Sequence, residues 1–203
     1  MLCKLVCNQG EEPALLPGPP KILLIAREPL QPGAEAEYDR IETETAVLAA
    51  TLRCPHPYLA LKPLSGAKDE IWWFNGFDSQ RQVDSVGEAY KANEGWMAAL
   101  TKNQERKAPY TGRPIEQLAD LEPRADSEPW TAGLARYIVV AVNPVEHLSG
   151  SHVFKGRDGT RYEILMAKDR TDAERVARGT FVVVLEVVPR WSFPGDTMQA
   201  ASQ

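Results

Sequence analysis

Cysteine is scarce in this 203-residue chain: Cys3, Cys7 and Cys54, with no C-x-x-C pair among them. An odd count without that spacing argues against a disulfide framework and against a structural zinc site, and it fits reduced thiols in a cytoplasmic protein. Histidine is as rare, at His56, His147 and His152. Positive charge is also short: the formal net charge is −5 and neither half of the chain is basic. A nucleic-acid surface needs clustered Lys and Arg to release counterions, so no nucleic-acid partner is expected. Nor is a membrane partner, because no apolar run approaches the ~18 residues that would span a bilayer. The opening MLCKLVCN is too short, and too soon interrupted, for the apolar stretch of a signal peptide.

What is present describes an ordinary globular core: 43% hydrophobic and 25% charged residues, with sixteen prolines and five tryptophans. Residues 1–20, rich in Pro and Gly, read as a flexible leader. Residues 21–27 (KILLIAR) are an apolar run of strand length that Glu28 and Pro29 stop. Residues 33–52 place Ala34, Tyr38, Ile41, Thr45, Leu48 and Leu52 at helical spacing, while Glu35, Glu37, Asp39, Glu42 and Glu44 sit mainly off that stripe. This predicts an amphipathic helix whose acids form a solvated face near its N-terminus. Residues 57–63 and 70–77 are two further strands. Ser79 with Gln82 makes a capping box that opens a helix, Asn93, Glu94 and Gly95 break or kink it, and a continuation carries Trp96, Met97 and Leu100. Residues 114–121 read as an edge strand, since Pro114 suits an edge. The order is β-α-β-β-α-β.

After a linker at 123–133, residues 134–190 repeat the pattern in shortened form. YIVVAVNP (137–144) lies over ILLIAREP (22–29), and ILMAKDRTDAE (164–174) over WWFNGFDSQRQ (72–82), so that a second capping box at Thr171 and Glu174 falls on the first. A hairpin at 152–156 and 160–167 turns on Asp158-Gly159, a type I′ signal. A helix follows, stopping at Gly179, then a closing strand at 180–188 and a tail at 191–203. The first helix of the repeat is reduced to a loop at 145–151. Two matches in the correct order point to an internal duplication.

A β-α-β-β-α-β unit is a four-stranded antiparallel sheet with both helices on one face. Its strands KILLIAR and EIWWFNGF are apolar on both faces, Leu23 and Ile25 against Ile22, Leu24 and Ala26, and Trp72 and Phe74 against Ile71, Trp73 and Phe77. The face without helices therefore needs cover from another sheet, from the second repeat or from a symmetric partner chain. The phrases KILLIAREPLQPGAEAEYDRIE, PHPYLALKPLSG and EIWWFNGFDS resemble the dimeric α/β-barrel superfamily of ferredoxin-like proteins, which includes antibiotic-biosynthesis monooxygenase-like, NIPSNAP-like and haem-degrading members. The resemblance covers residues 20–122 best. It implies an α+β fold in which a ferredoxin-like unit and an abridged second repeat pack their sheets as an α/β barrel, by intramolecular pairing or as a homodimer.

The resemblance also implies a cleft between sheet and helices that acts on a small molecule, often with neither metal nor organic cofactor. The haem-degrading members use an Asn, a Trp and a helix-borne His, and neither helix of the first unit here contains a histidine. The candidates at or near strand ends are His56 and Asn75 as catalytic groups, with Arg27, Tyr58, Trp73 and Trp96 as substrate contacts. A histidine beside an apolar wall can serve as a general base near neutral pH. Each has a plainer reading: His56 ends a turn between two prolines, Asn75-Gly76 forms a turn or bulge, Arg27 pairs with Glu28 or Glu70, and the Trp-rich strand is core. No metal site is expected. Two functions follow: a monooxygenase-like, cofactor-independent enzyme or binder of a small apolar or aromatic molecule, and a non-catalytic structural or stress-related dimer. A concave pocket beside His56 or Asn75 separates them.

Overall fold

The computed structural model describes residues 18–52, 56–66, 69–132, 135–177 and 182–192. Most of the leader, all three cysteines, Gly179, residues 180–181 and the tail from 193 lie outside these. The chain is mixed α+β, with strands β1 (Ile22–Pro29), β2 (Leu59–Pro63), β3 (Glu70–Phe77), β4 (Ile115–Glu122), β5 (Tyr137–Val142), β6 (His152–Gly156), β7 (Arg161–Ala167) and β8 (Val182–Val187). The helices are α1 (Glu35–Thr51), α2 (Gln80–Ala92), α3 (Glu94–Lys107) and α4 (Arg170–Val176). All strand pairs are antiparallel, and they close into one barrel in the order β1-β3-β2-β8-β5-β7-β6-β4.

The closure answers the need for cover inside one chain. The first four strands lie in the order β4-β1-β3-β2 and the last four in the order β8-β5-β7-β6, joined where Leu61 faces Val187 and where Leu121 faces Phe154. Alternate residues point inward. Leu23, Ile25, Trp72 and Phe74 meet Ile138, Val140, Ile164 and Leu185 in a packed interior. Trp72 and Ile164 both belong to that interior. Outside, α1 lays Tyr38 and Ile41 on the first-half sheet, and α4 lays Ala173 on the second.

Four local expectations are corrected. β4 is no edge strand: it pairs with β1 on one side and β6 on the other, and Pro114 lies just before the strand, where its missing N–H costs no ladder bond. The β6–β7 turn is not type I′, which needs two positive φ values. Only Gly159 has one (φ 90°), closing a three-residue loop whose Gly159 N–H donates to the Gly156 carbonyl at 2.8 Å. The cap of α4 is Asp169, whose side chain accepts from the Asp172 N–H at 2.8 Å, two residues ahead of Thr171. The α1 acids are not all solvated either, since Glu42 is 3% exposed. Ser79 caps α2 as expected, accepting from Gln82 N–H, and at the expected break Asn93 both ends α2 and caps α3.

Candidate functional site

The outer face of the first-half sheet is unevenly covered. α1 and α3 bury one end of it, whereas α2 buries none of its own residues. The sheet-facing stripe of α2 is Val83, Val86, Gly87 and Tyr90, all half-exposed, and a Cβ added at Gly87 would meet nothing within 4 Å. Beneath it Leu24, Ala26, Trp73, Asn75 and Leu118 stay half-exposed, while Leu23, Ile25, Trp72, Phe74 and Ala119 on the opposite side of the same strands are buried. Here the surface sinks into an open trough of about 380 Å³ with Leu24, Phe77, Val83 and Leu118 as its apolar lining and Glu116, Gln117 and Arg157 as its polar lining. Asn75 faces Leu24 and Trp73 faces Ala26 across β1 and β3, so both adjoin the floor. A second hollow, about 350 Å³, is a dent in α1 lined by Thr43, Glu44, Val47 and Leu48.

The six residues singled out by sequence divide around this trough. His56, Tyr58, Trp73 and Asn75 lie beside it rather than in its lining, His56 against Phe77 and Asn75 across from Leu24. His56 is buried, stacks on Phe77 with ring centroids 4.5 Å apart, and lies with Nε2 2.8 Å from the Gly76 carbonyl. Burial lowers its pKa below the usual histidine range against the opposing pull of that carbonyl and Asp78, so the ring is neutral near pH 7. Tyr58 packs edge-on to Trp73 at 5.6 Å, and Asn75 Nδ2 reaches the Pro57 carbonyl only at 3.5 Å. Trp96 is set back, 3% exposed between α1 and α3 and 6.2 Å from the Tyr90 ring, and its indole N–H has no hydrogen-bond partner among the described residues.

Arg27 is on the other side of the sheet and is corrected as a contact for this cleft. Its guanidinium grips the Glu70 carboxylate at 2.8–3.2 Å and lies 4.8 Å over the Trp72 ring, whose Nε1–H also donates to Glu70. That network closes one mouth of the barrel, where Tyr162 also bonds Gln117.

Two buried charge clusters were not foreseen. Between β1, α1 and α3, the Tyr38 hydroxyl donates to Glu28 at 2.5 Å, while the Lys107 ammonium sits 2.6 Å from Glu42 and 3.3 Å from Glu28. The contact with Glu42 Oε1 is off hydrogen-bond geometry, so that oxygen is compensated by charge alone. Burial raises the Glu42 pKa against the pull of Lys107; burial and the two carboxylates push Tyr38 far above its ordinary value. In the second half, fully buried Glu163 anchors the loop that replaces the missing helix. It accepts from Leu148 N–H at 2.7 Å and from Ser151 Oγ at 3.2 Å, and His147 Nδ1 lies 2.6 Å away. His152 points into the barrel, edge-on to Trp130 at 5.1 Å, so the two second-half histidines do not converge. The sequence signal for both clusters was an acid inside an apolar run, Glu28 and Glu163. Their partners come from distant elements.

No protein-family model matches the chain, and no curated protein matches it. Similar solved structures include an uncharacterized NIPSNAP domain protein from Burkholderia xenovorans, 16% identical over 51% of this chain and 95% of its own, at TM-score 0.41. A "putative monooxygenase" from Fusobacterium nucleatum is 11% identical over 83% and 93%, at TM-score 0.48. An anthrone oxidase-like protein is 14% identical over 83% and 92%, at TM-score 0.46.

Proposed function

We propose that the chain binds a small apolar or aromatic molecule in the trough between the first-half sheet and α2. One observation carries this reading: an amphipathic helix that buries no residue lies over a sheet face left half-exposed at Leu24, Trp73, Asn75 and Leu118. A volume of about 380 Å³ suits a drug-sized molecule. Asn75 supplies a polar contact beside an apolar floor, and Tyr58 and Trp73 supply aromatic edges. A monooxygenase-like, cofactor-independent reaction in which His56 and Asn75 act on the bound molecule ranks second. His56 is neutral, as a base must be, but it is buried and engaged with Gly76.

The proposal extends to organisation. Residues 21–122 and 134–190 are read as a duplicated unit, one copy full and one abridged, joined by 123–133 and flanked by a leader (1–20) and a tail (191–203). Intramolecular pairing closes the sheet; a homodimer would use the helix-bearing surface, because the closed barrel leaves no strand edge. No helix among the described residues is long and apolar enough to cross a membrane, and a cytoplasmic location belongs to this proposal. A thermal-shift screen of planar aromatic compounds tests the binding reading. At least one compound raises the Tm of the natural chain, and Leu24→Glu and Asn75→Ala weaken its effect. A shift of equal size in Leu24→Glu would refute the trough as the site.

A further inference from the structure

We infer that the trough selects monoanionic ligands, an apolar body carrying one carboxylate, and that Arg157 is the residue that sets this preference. The inference rests on the trough being a binding site, as proposed above. The trough is floored by the first half of the chain, but its cationic wall comes from the second: Arg157, in the β6–β7 loop, is held beside β4 by its N–H donating to the Leu118 carbonyl at 3.2 Å. Its guanidinium reaches across to the Gln80 amide oxygen at the start of α2, a neutral partner.

The charge of Arg157 is compensated less closely than that of the arginines locked into close ion pairs, and, unlike Arg81 and Arg113, which have no ion pair among the described residues, Arg157 lines the trough. Arg27, Arg40, Arg106, Arg136 and Arg190 each have a carboxylate oxygen within 2.8 Å. Among the described residues the acid paired with Arg157 is Asp120, at 4.0 Å, with both side chains at least half-exposed, a geometry of little worth in water. A ligand carboxylate at the trough's edge would gain a charge-assisted, bidentate contact that neither Gln80 nor Asp120 supplies. The acids nearby limit the ligand's charge. Glu116 lines the same trough and Asp120 lies at its rim, so a dianion such as a phosphate monoester meets two carboxylates for one arginine. A single carboxylate fits; a compact polyanion does not.

The test uses the full chain with two isosteric probes, 2-naphthoate and 2-naphthamide, and reads dissociation constants from ligand-observed NMR titrations. A charge-assisted contact replacing a neutral one predicts that naphthoate binds about tenfold more tightly. Arg157→Gln removes that difference by weakening naphthoate far more than naphthamide, and Glu116→Gln leaves the preference in place or enlarges it. Equal affinities in the natural chain, or a naphthoate preference that survives Arg157→Gln, would overturn the role of Arg157 and leave the trough reading standing. Binding of neither probe would overturn both. Thermal melts of Arg157→Gln report its folding separately, since this exposed side chain contributes little to the core.

Discussion

Replacing Lys107 with methionine removes one buried ammonium and leaves Glu28 and Glu42 facing each other without a counter-charge. The side chains of Lys107 and Glu42 are 14% and 3% exposed, and Lys107 touches both carboxylates and lies 5.5 Å over the Tyr38 ring. Removing one partner from a buried ion pair costs about 3–5 kcal/mol, because the remaining charge has no water to turn to. That is a large share of the ~5–15 kcal/mol that holds a domain together. With a urea m-value near 2 kcal/mol/M, the midpoint should fall by about 2 M. The loss should depend on pH. Burial already raises the Glu42 pKa in the folded state, so its carboxyl favours folding below the ordinary glutamate value and loses that contribution as pH rises. Without Lys107 the folded chain holds that proton more tightly still. Lys107→Met should therefore cost more at pH 8 than at pH 5, and adding Glu42→Gln should recover part of the loss at pH 8. Urea unfolding at both pH values measures this. A cost below about 1 kcal/mol, or one independent of pH, would refute the reasoning from buried charge.

Other outcomes follow from the same packing. Ile25→Asp places a carboxylate in the barrel interior and should leave no cooperative unfolding transition at 37 °C; a native-like melt would contradict the interior position of that strand face. Gly87→Ala fills open space in a helix and should raise stability by about 0.5–1 kcal/mol in chemical denaturation, whereas a loss would mean that the helix packs down on the sheet. His56 and His152 both have pKa values lowered by burial, so the folded state binds fewer protons than the unfolded one. Stability should fall as pH drops below the ordinary histidine value near 6.5, and His56→Gln should flatten that slope in melts between pH 7 and 5. Tyr38 and Lys107 are both shifted upward, Lys107 because its two carboxylates outweigh burial, so their contributions should be lost only in the alkaline range.

Much of the fold was legible because it is written in local periodicity. Leu23 and Ile25 alternate with Leu24 and Ala26, and Trp72 and Phe74 with Ile71 and Trp73, which marks two-faced burial before any partner is known. Ser79 and Asn93 announce the breaks around α2 through their own side chains. What closes the barrel is different in kind: the β2–β8 and β4–β6 pairings join segments far apart in sequence, and nothing local in LALKP or IEQLADLE names its second neighbour. That is why β4 read as an edge. Asp169 displaced Thr171 as a cap because either residue can accept from a first-turn N–H, and only the path of the chain out of β7 decides between them. Four of the six candidate site residues lie near one another because β3 and the segment before β2 carry them side by side, next to the trough rather than in its lining. Arg27 fell on the other face by strand alternation, since Leu24 and Ala26 already point into the cleft. Glu42 looked like one more solvated acid of α1 until Lys107, at the far end of α3, met it.

The proposed ligand site is the half-covered outer face of the first-half sheet. Amide chemical-shift mapping with a planar aromatic probe such as 2-naphthamide tests it most directly. Shifts should concentrate at Leu24, Asn75, Phe77, Leu118 and along 80–92, with Ile138 and Ile164 in the barrel unmoved. Shifts confined to the barrel interior or to the second-half face around α4, with the trough silent, would contradict it.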